Sequence, residues 1–300
     1  MYNRDTFSGY HPAINFIYFA LVVAFTMFVM HPLYLAVSLC TGICYSIYLK
    51  GKRAVRFSLL YMLPMLLMSA LLNPAFNHEG VTLITYLPSG NPLTLESIVY
   101  GIAAGCMLVS AIIWFSNYTE IMTSDKFVYL FGRIIPALSL VLSMTLRFVP
   151  RFSDQLRSVS EAQRGIGRDV SEGSIIQRAR KGITILSIMV TWALENAIET
   201  ADSMRSRGYG LPGRTAFSIY RFDSRDCKAL AWLLYCGVYL ISGQAVGFGY
   251  FRYYPSIKAV ETSPFSLSFV LVYALLCLTP LIVNLQEDRV WKTLENIQQA

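Results

Sequence analysis

The chain has 300 residues, of which 55% are apolar and only 14% charged, with a mean hydropathy of +0.48. Soluble chains carry about 25% charged residues, so the composition excludes an ordinary soluble domain and implies an integral membrane protein. The net charge is +7, from 25 Lys and Arg against 18 Asp and Glu. The cations are interspersed with carboxylates, which argues for basic membrane-flanking loops and against a nucleic-acid partner.

Residues 13 to 30 and 33 to 49 are apolar runs separated by Met30-His31-Pro32, a tight break that reads as a helical hairpin. Only Arg4 precedes the first run and no small-residue cleavage site follows it, so it reads as a retained span rather than a signal peptide. Lys50, Lys52, Arg53 and Arg56 come next, then a third run at 57 to 72 with Pro64 inside. Residues 73 to 97 hold no Lys or Arg. Within them, strand formers at 81 to 86 and 92 to 95 flank Pro88-Ser89-Gly90-Asn91 and predict a small hairpin outside the membrane. The fourth span is 98 to 116, where Gly101 and Gly105 permit close helix packing.

The pattern then changes. Residues 134 to 146 are apolar, but only thirteen residues separate Arg133 from Arg147. At about 1.5 Å per residue they make roughly 20 Å of helix, too short for a hydrocarbon core of about 30 Å. Two full-length runs close the chain, 229 to 249 and 265 to 285, ahead of a polar tail from Gln286 to Ala300. The expectation is an all-α polytopic membrane protein with about six transmembrane helices. It divides into a membrane region of four spans (1-132), a cytoplasmic block of long amphipathic helices (133-228) and a C-terminal membrane region (229-300). With both termini inside, 23 Lys and Arg lie on the inner side and only Arg252 and Lys258 outside. Were 134 to 146 to cross, the fourteen cations from Arg147 to Lys228 would face outward, against the positive-inside rule.

The middle block carries two echoing motifs, Gln163-Arg164-Gly165 and Ser206-Arg207-Gly208. On a helix from Val149 to Ile166, the residues Val149, Phe152, Leu156, Val159, Gln163 and Ile166 form one mostly apolar stripe. Arg157, Glu161, Arg164 and Arg168 form a charged ridge. A second helix, from about Gln177 to Arg207, carries a stripe of Ile183, Leu186, Val190, Ala193, Ala197, Ala201 and Met204. It stops at Gly208-Tyr209-Gly210-Leu211-Pro212-Gly213. Each helix ends in Arg followed by Gly. Arg offers a permanent charge and a rigid fork of donors for carboxylates and carbonyls, and Gly lets a partner approach. Alone, either motif reads better as a dipole-complementing Arg with an ordinary cap. The repetition within one block points to docking.

Arg147-Phe148-Val149-Pro150, Glu161-Ala162-Gln163-Arg164-Gly165 and Met204-Arg205-Ser206-Arg207-Gly208-Tyr209 resemble the EcfT/CbiQ family, the transmembrane T component of energy-coupling factor transporters. The likeness extends to Leu72-Asn73-Pro74 and Pro92-Leu93-Thr94-Leu95-Glu96 and covers most of residues 30 to 215. The resemblance implies that Ala162, Gln163, Arg164 and Gly165, with Ser206, Arg207 and Gly208, end two coupling helices. These would seat on two ABC-type ATPase subunits and act on a small membrane-embedded substrate-binding subunit, in a prokaryotic cell membrane. Gln163 and Ser206 stand where the family commonly has Ala, and the chain resembles a longer variant.

No catalytic, metal or cofactor site is expected. His11, His31 and His78 fit no ligand spacing. The six cysteines lie in or beside apolar runs as packing residues. The chain lacks a Gly-x-x-x-x-Gly-Lys-Ser/Thr loop, so ATP hydrolysis is expected in partner subunits. The rival readings are a permease that forms its own substrate path, a membrane-embedded enzyme, and a non-transport scaffold.

Overall fold

The computed structural model describes residues 5–86, 92–132, 135–211, 220–259 and 264–299. The chain divides into two units, residues 1–123 with 220–300, and residues 124–219.

The first unit is a helical bundle. Its helices are α1 (Pro12–Phe28), α2 (Pro32–Lys50), α3 (Lys52–Phe57) joined to α4 (Leu63–Phe76) through a π-helical turn, α5 (Leu95–Ile121), α9 (Ser224–Val246) and α10 (Pro264–Gln299). His11 and His31 each precede a proline and open α1 and α2. Each imidazole Nδ1 accepts a backbone N–H two residues on, from Ala13 and Leu33. Proline fits these first helical positions because its missing N–H would have no partner there. Between α4 and α5, strand β1 (Leu83–Tyr86) pairs antiparallel with β2 (Pro92–Thr94), as predicted. The turn expected at 88 to 91 lies outside the described residues.

Hydrogen bonds between helix ends sort the bundle into two ends. At one end, the His11 N–H donates to Asp226 at the start of α9, and Arg225 pairs with Glu287 of α10. There Tyr48 of α2 donates to Asp288, and Lys50 reaches Ser116 and Glu120 at the close of α5. At the other end, Tyr253 donates to the Met30 carbonyl after α1, and Asn73 of α4 bonds both the Ser97 carbonyl and Tyr254. Each of the six helical segments therefore runs from one end to the other. Five are long and apolar enough to cross a membrane, α3 and α4 counting as one. The sixth, α1, has 17 residues, yet it meets neighbours at both ends, so about six spans is the right reading.

The core is held by polar links as well as apolar packing. The Trp114 indole donates to Ser38 Oγ at 3.0 Å, Ser38 bonds Thr26 at 2.8 Å, and Thr26 bonds the Tyr273 hydroxyl at 3.0 Å. One chain of hydrogen bonds thus ties α5, α2, α1 and α10. Gly101 and Gly105 do mark a close approach, and the partner is α4. A Cβ on Gly105 would stand 3.2 Å from the Leu66 carbonyl oxygen and from Ser69 Cβ.

The second unit holds α6 (Ser124–Gly132), α7 (Pro136–Gly165) and α8 (Ile175–Ser206). Neither α7 nor α8 is among the helices apolar enough to cross. Helix α7 starts at Pro136 rather than Val149. It runs through Pro150, whose missing donor costs only the bond to the Leu146 carbonyl, on an exposed turn. Arg133, and the first residue of the short apolar run, fall outside the described residues. Three further features depart from the sequence reading. Helix α6 was not foreseen. Strands β3 (Phe251–Arg252) and β4 (Lys258–Ala259) form a second small hairpin between α9 and α10. The polar tail is not a loose end: α10 continues to Gln299, since no Gly or Pro interrupts Gln286 to Gln299 and its first turn is held by Arg225 and Tyr48.

Gly105→Leu should lower stability by about 1–3 kcal/mol through overpacking of the α4–α5 contact. Gly182→Leu, at a position with nothing within 4 Å of an added Cβ, should not. Thermal unfolding in detergent compares the two.

Candidate functional site

The site is built on the ends of α7 and α8. The helices touch near their midpoints, where the Phe152 and Trp192 rings meet nearly perpendicular with their centres 5.2 Å apart. The Arg151 guanidinium lies 5.7 Å from the Trp192 ring centre and also donates to Asn196 at 3.1 Å. Ile185 and Met189, only 6% and 7% exposed, share the face of Trp192 and Asn196. This corrects the stripe expected on α8: Ile183 and Leu186 remain 66% and 62% exposed. The packed face is set one residue away, at 185, 189, 192 and 196, because bulky Met and Trp rather than the small residues fill the contact.

Both helix ends are Schellman motifs, in which the chain reverses through a left-handed residue and two late carbonyls are satisfied. At the end of α7, Arg168 N–H donates to the Gln163 carbonyl and Gly167 N–H to that of Arg164. At the end of α8, Tyr209 N–H donates to the Met204 carbonyl and Gly208 N–H to that of Arg205. Gly167 (φ +76°) and Gly208 (φ +77°) make the turns. The two glycines of the sequence echo are thus not equivalent. Gly208 turns its chain, whereas Gly165 is the last residue of α7 and an added Cβ there meets nothing within 4 Å. Aligned on their caps, the ends match Arg164 with Arg205, not with Arg207. Sequence echo and cap register differ by two residues, and Arg205, which the sequence reading did not single out, holds the cap position equivalent to that of Arg164. The later breaker Pro212-Gly213 lies outside the described residues.

The surroundings of the arginines also differ. Arg164 is 76% exposed along its side chain and pairs through Nε with Asp169 Oδ2 at 3.1 Å. Asp169 is held in turn by the Ser171 N–H at 2.9 Å. Lys181 Nζ donates to the carbonyls of Asp169 and Glu172 at 2.7 and 3.1 Å, and Arg178 Nε to that of Val170 at 2.9 Å. Ser174 and Gln177 close a capping box at the start of α8. The linker from Ile166 to Ser174 is therefore tied down by side chains of both helices. Hydrogen bonds from Ser171, with the nearby charges of Arg164 and Lys181, hold the Asp169 carboxyl below its ordinary range. Arg207 is exposed at the C-cap of α8 and makes no side-chain ion pair among the described residues. Ala162 is exposed, Gln163 half-buried, and Ser206 returns its hydroxyl to the Ser203 carbonyl at 2.9 Å. Among the described residues no three His, Cys, Asp or Glu side chains gather to hold a metal.

The family described as cobalt transport protein (CbiQ) matches residues 10–217, which takes in α1 to α8 and leaves out α9 and α10. A protein of Lactobacillus helveticus named energy-coupling factor transporter transmembrane protein EcfT is 37% identical over 109 residues, 36% of this chain and 39% of its own length. The corresponding protein of Lacticaseibacillus paracasei is 37% identical over 101 residues, 33% of this chain and 38% of its own. The chain thus spans about two fifths of these relatives. With the Listeria monocytogenes protein named EcfT 1 the likeness is 26% over 233 residues, 72% of this chain and 79% of that one.

Because the Asp169 carboxyl is lowered, its contribution to the linker is complete above its ordinary value of 3.8 and is lost as pH falls through the lower folded value. Asp169→Asn should therefore loosen residues 166 to 171 at neutral pH, as strong acid does to the native chain. Backbone amide exchange over that linker should be faster in the variant and unchanged in α8 beyond Lys181.

Proposed function

Since the chain belongs to the CbiQ cobalt transport protein family, we propose that it is the transmembrane coupling subunit of an energy-coupling factor importer. It passes a conformational change in two ABC-type ATPase subunits to a separate small substrate-binding membrane subunit, for uptake of a vitamin or a transition-metal ion. It sits in a prokaryotic cell membrane with both termini, and residues 124–219, on the cytoplasmic side. The relatives named EcfT support this reading. So does the charge distribution, with Arg252 and Lys258 the only cations at the opposite end.

The observation that carries the proposal is the pair of long helices that each end in a fixed turn carrying exposed arginine. At about 1.5 Å per residue, the 30 residues of α7 and 32 of α8 make rods of roughly 45 Å. Their contact at Phe152 and Trp192 lies near both midpoints and serves as a pivot. Closure of the ATPases draws on the arginine ends, and the opposite arms move with them. The apolar face of α8 that α7 leaves uncovered carries the movement to the substrate-binding subunit. Gly165 leaves open space where an ATPase surface approaches. The chain itself hydrolyses nothing and acts as strut and lever.

Charge reversal tests the docking. A charge-assisted hydrogen bond contributes about 1.5–3 kcal/mol, so Arg164→Glu with Arg207→Glu should cut ATP-driven uptake more than tenfold while membrane insertion is unchanged. Unaltered uptake in that double variant would sink the proposal. Arg205→Glu alone reports whether the cap register or the sequence echo defines the second contact. Gly165→Leu should block uptake without lowering thermal stability, because no described residue lies within 4 Å of an added Cβ there.

A further inference from the structure

The segment from Lys52 to Phe76 is the least buried of the five long spans. Of its most apolar stretch 6% is buried, against 39% for α2 and 44% for α5. Pro64 lacks the N–H that would meet the Leu60 carbonyl, and the helix answers with a wider turn over Ser58–Met62, where the Leu63 N–H donates to the Ser58 carbonyl five residues back. Lys52, Val55, Arg56, Leu59 and Leu60 share a shallow, open and mostly apolar surface along this segment. They recur at steps of three and four, so they form one face. Cations occupy its beginning and apolar side chains the rest.

Lys50, two residues earlier, is satisfied by Ser116 and Glu120. Lys52 and Arg56, by contrast, are exposed and have no carboxylate partner among the described residues. Two free cations followed by an apolar track complement a molecule with an anionic head and a hydrocarbon tail. We propose that this face is a binding site for one anionic phospholipid. Lys52 and Arg56 take its phosphate, and one acyl chain lies over Val55, Leu59 and Leu60. The cations stand at the bundle end that also holds the starts of α1 and α9, so the lipid belongs to the leaflet on that side. Arg53 is not on this face, although it adds the same charge to the same stretch. This separates a defined site from a diffuse attraction of basic residues to an anionic surface.

The test uses the full chain reconstituted in phosphatidylcholine nanodiscs containing phosphatidylglycerol, with retained lipids counted by native mass spectrometry. The unaltered protein should keep one phosphatidylglycerol in preference to phosphatidylcholine. A charge-assisted hydrogen bond to the phosphate is worth at least about a factor of ten, so Lys52→Gln with Arg56→Gln should weaken that retention roughly a hundredfold. Arg53→Gln and Lys258→Gln should leave it unchanged. Leu59→Ser with Leu60→Ser, which keeps both cations, should also weaken it. The proposal is overturned if the unaltered protein shows no preference, or if Arg53→Gln costs as much as Lys52→Gln or Arg56→Gln made singly. It is overturned too if inorganic phosphate displaces the lipid, since the site would then be one for a free anion.

Discussion

Residues 124–219 leave the bundle and return to it at the same end. The close of α5 is fixed there by Lys50 on Ser116 and Glu120, and the start of α9 by Asp226 on the His11 backbone. Bilayer thickness makes the same demand, because thirteen apolar residues between Arg133 and Arg147 cannot cross about 30 Å of hydrocarbon. The proposed function accordingly requires both arginine-bearing helix ends on one side of the membrane. Cations there remain hydrated, whereas at the bilayer centre each would cost about 2.5–3.5 kcal/mol or more. A lever whose two ends were on opposite sides could not be driven by soluble subunits.

The bundle that receives this segment is not held by apolar contact alone. In lipid, hydrocarbon offers no drive for helices to associate, and polar pairs and close packing take over. The chain Trp114–Ser38–Thr26–Tyr273 does this across four helices, and the glycines at 101 and 105 do it between α4 and α5. Tyr273 lies in α10, beyond the region matched by the family. The last two helices are consequently built into the core rather than appended to it. The Arg225 side chain, which donates to the Gly9 carbonyl, and the Asn284 side chain, which accepts the Phe7 N–H, bind the N-terminal segment to them.

Much of this was legible in the chain. Apolar run lengths set out the spans, and Met30-His31-Pro32 marked the break between the first two. The small hairpin around 83 to 94 showed as strand formers flanking turn residues. What escaped was information that periodicity does not hold. The packed face of α8 was misjudged because Ile183 and Leu186 share the period of Ile185 and Met189, and only contact with Phe152 chooses between them. The cap register escaped because two Arg-Gly pairs look alike in sequence, while a Schellman turn is defined by hydrogen bonds five residues apart. Asp169 escaped because its importance lies in what it touches. The continuation of α7 through Pro150 escaped because a single lost bond at an exposed carbonyl is cheap beside the turns on either side.

The central claim is that the two arginine-bearing ends join this chain to ATPase subunits. The most direct measurement is the subunit stoichiometry of the complex purified from its native membrane through a tag on this chain. The account predicts two ATP-hydrolysing subunits and one small hydrophobic protein per chain, with the ATPases lost when both Arg164 and Arg207 are reversed. A chain that purifies without any ATP-hydrolysing subunit, or one that keeps both after the reversal, would contradict it.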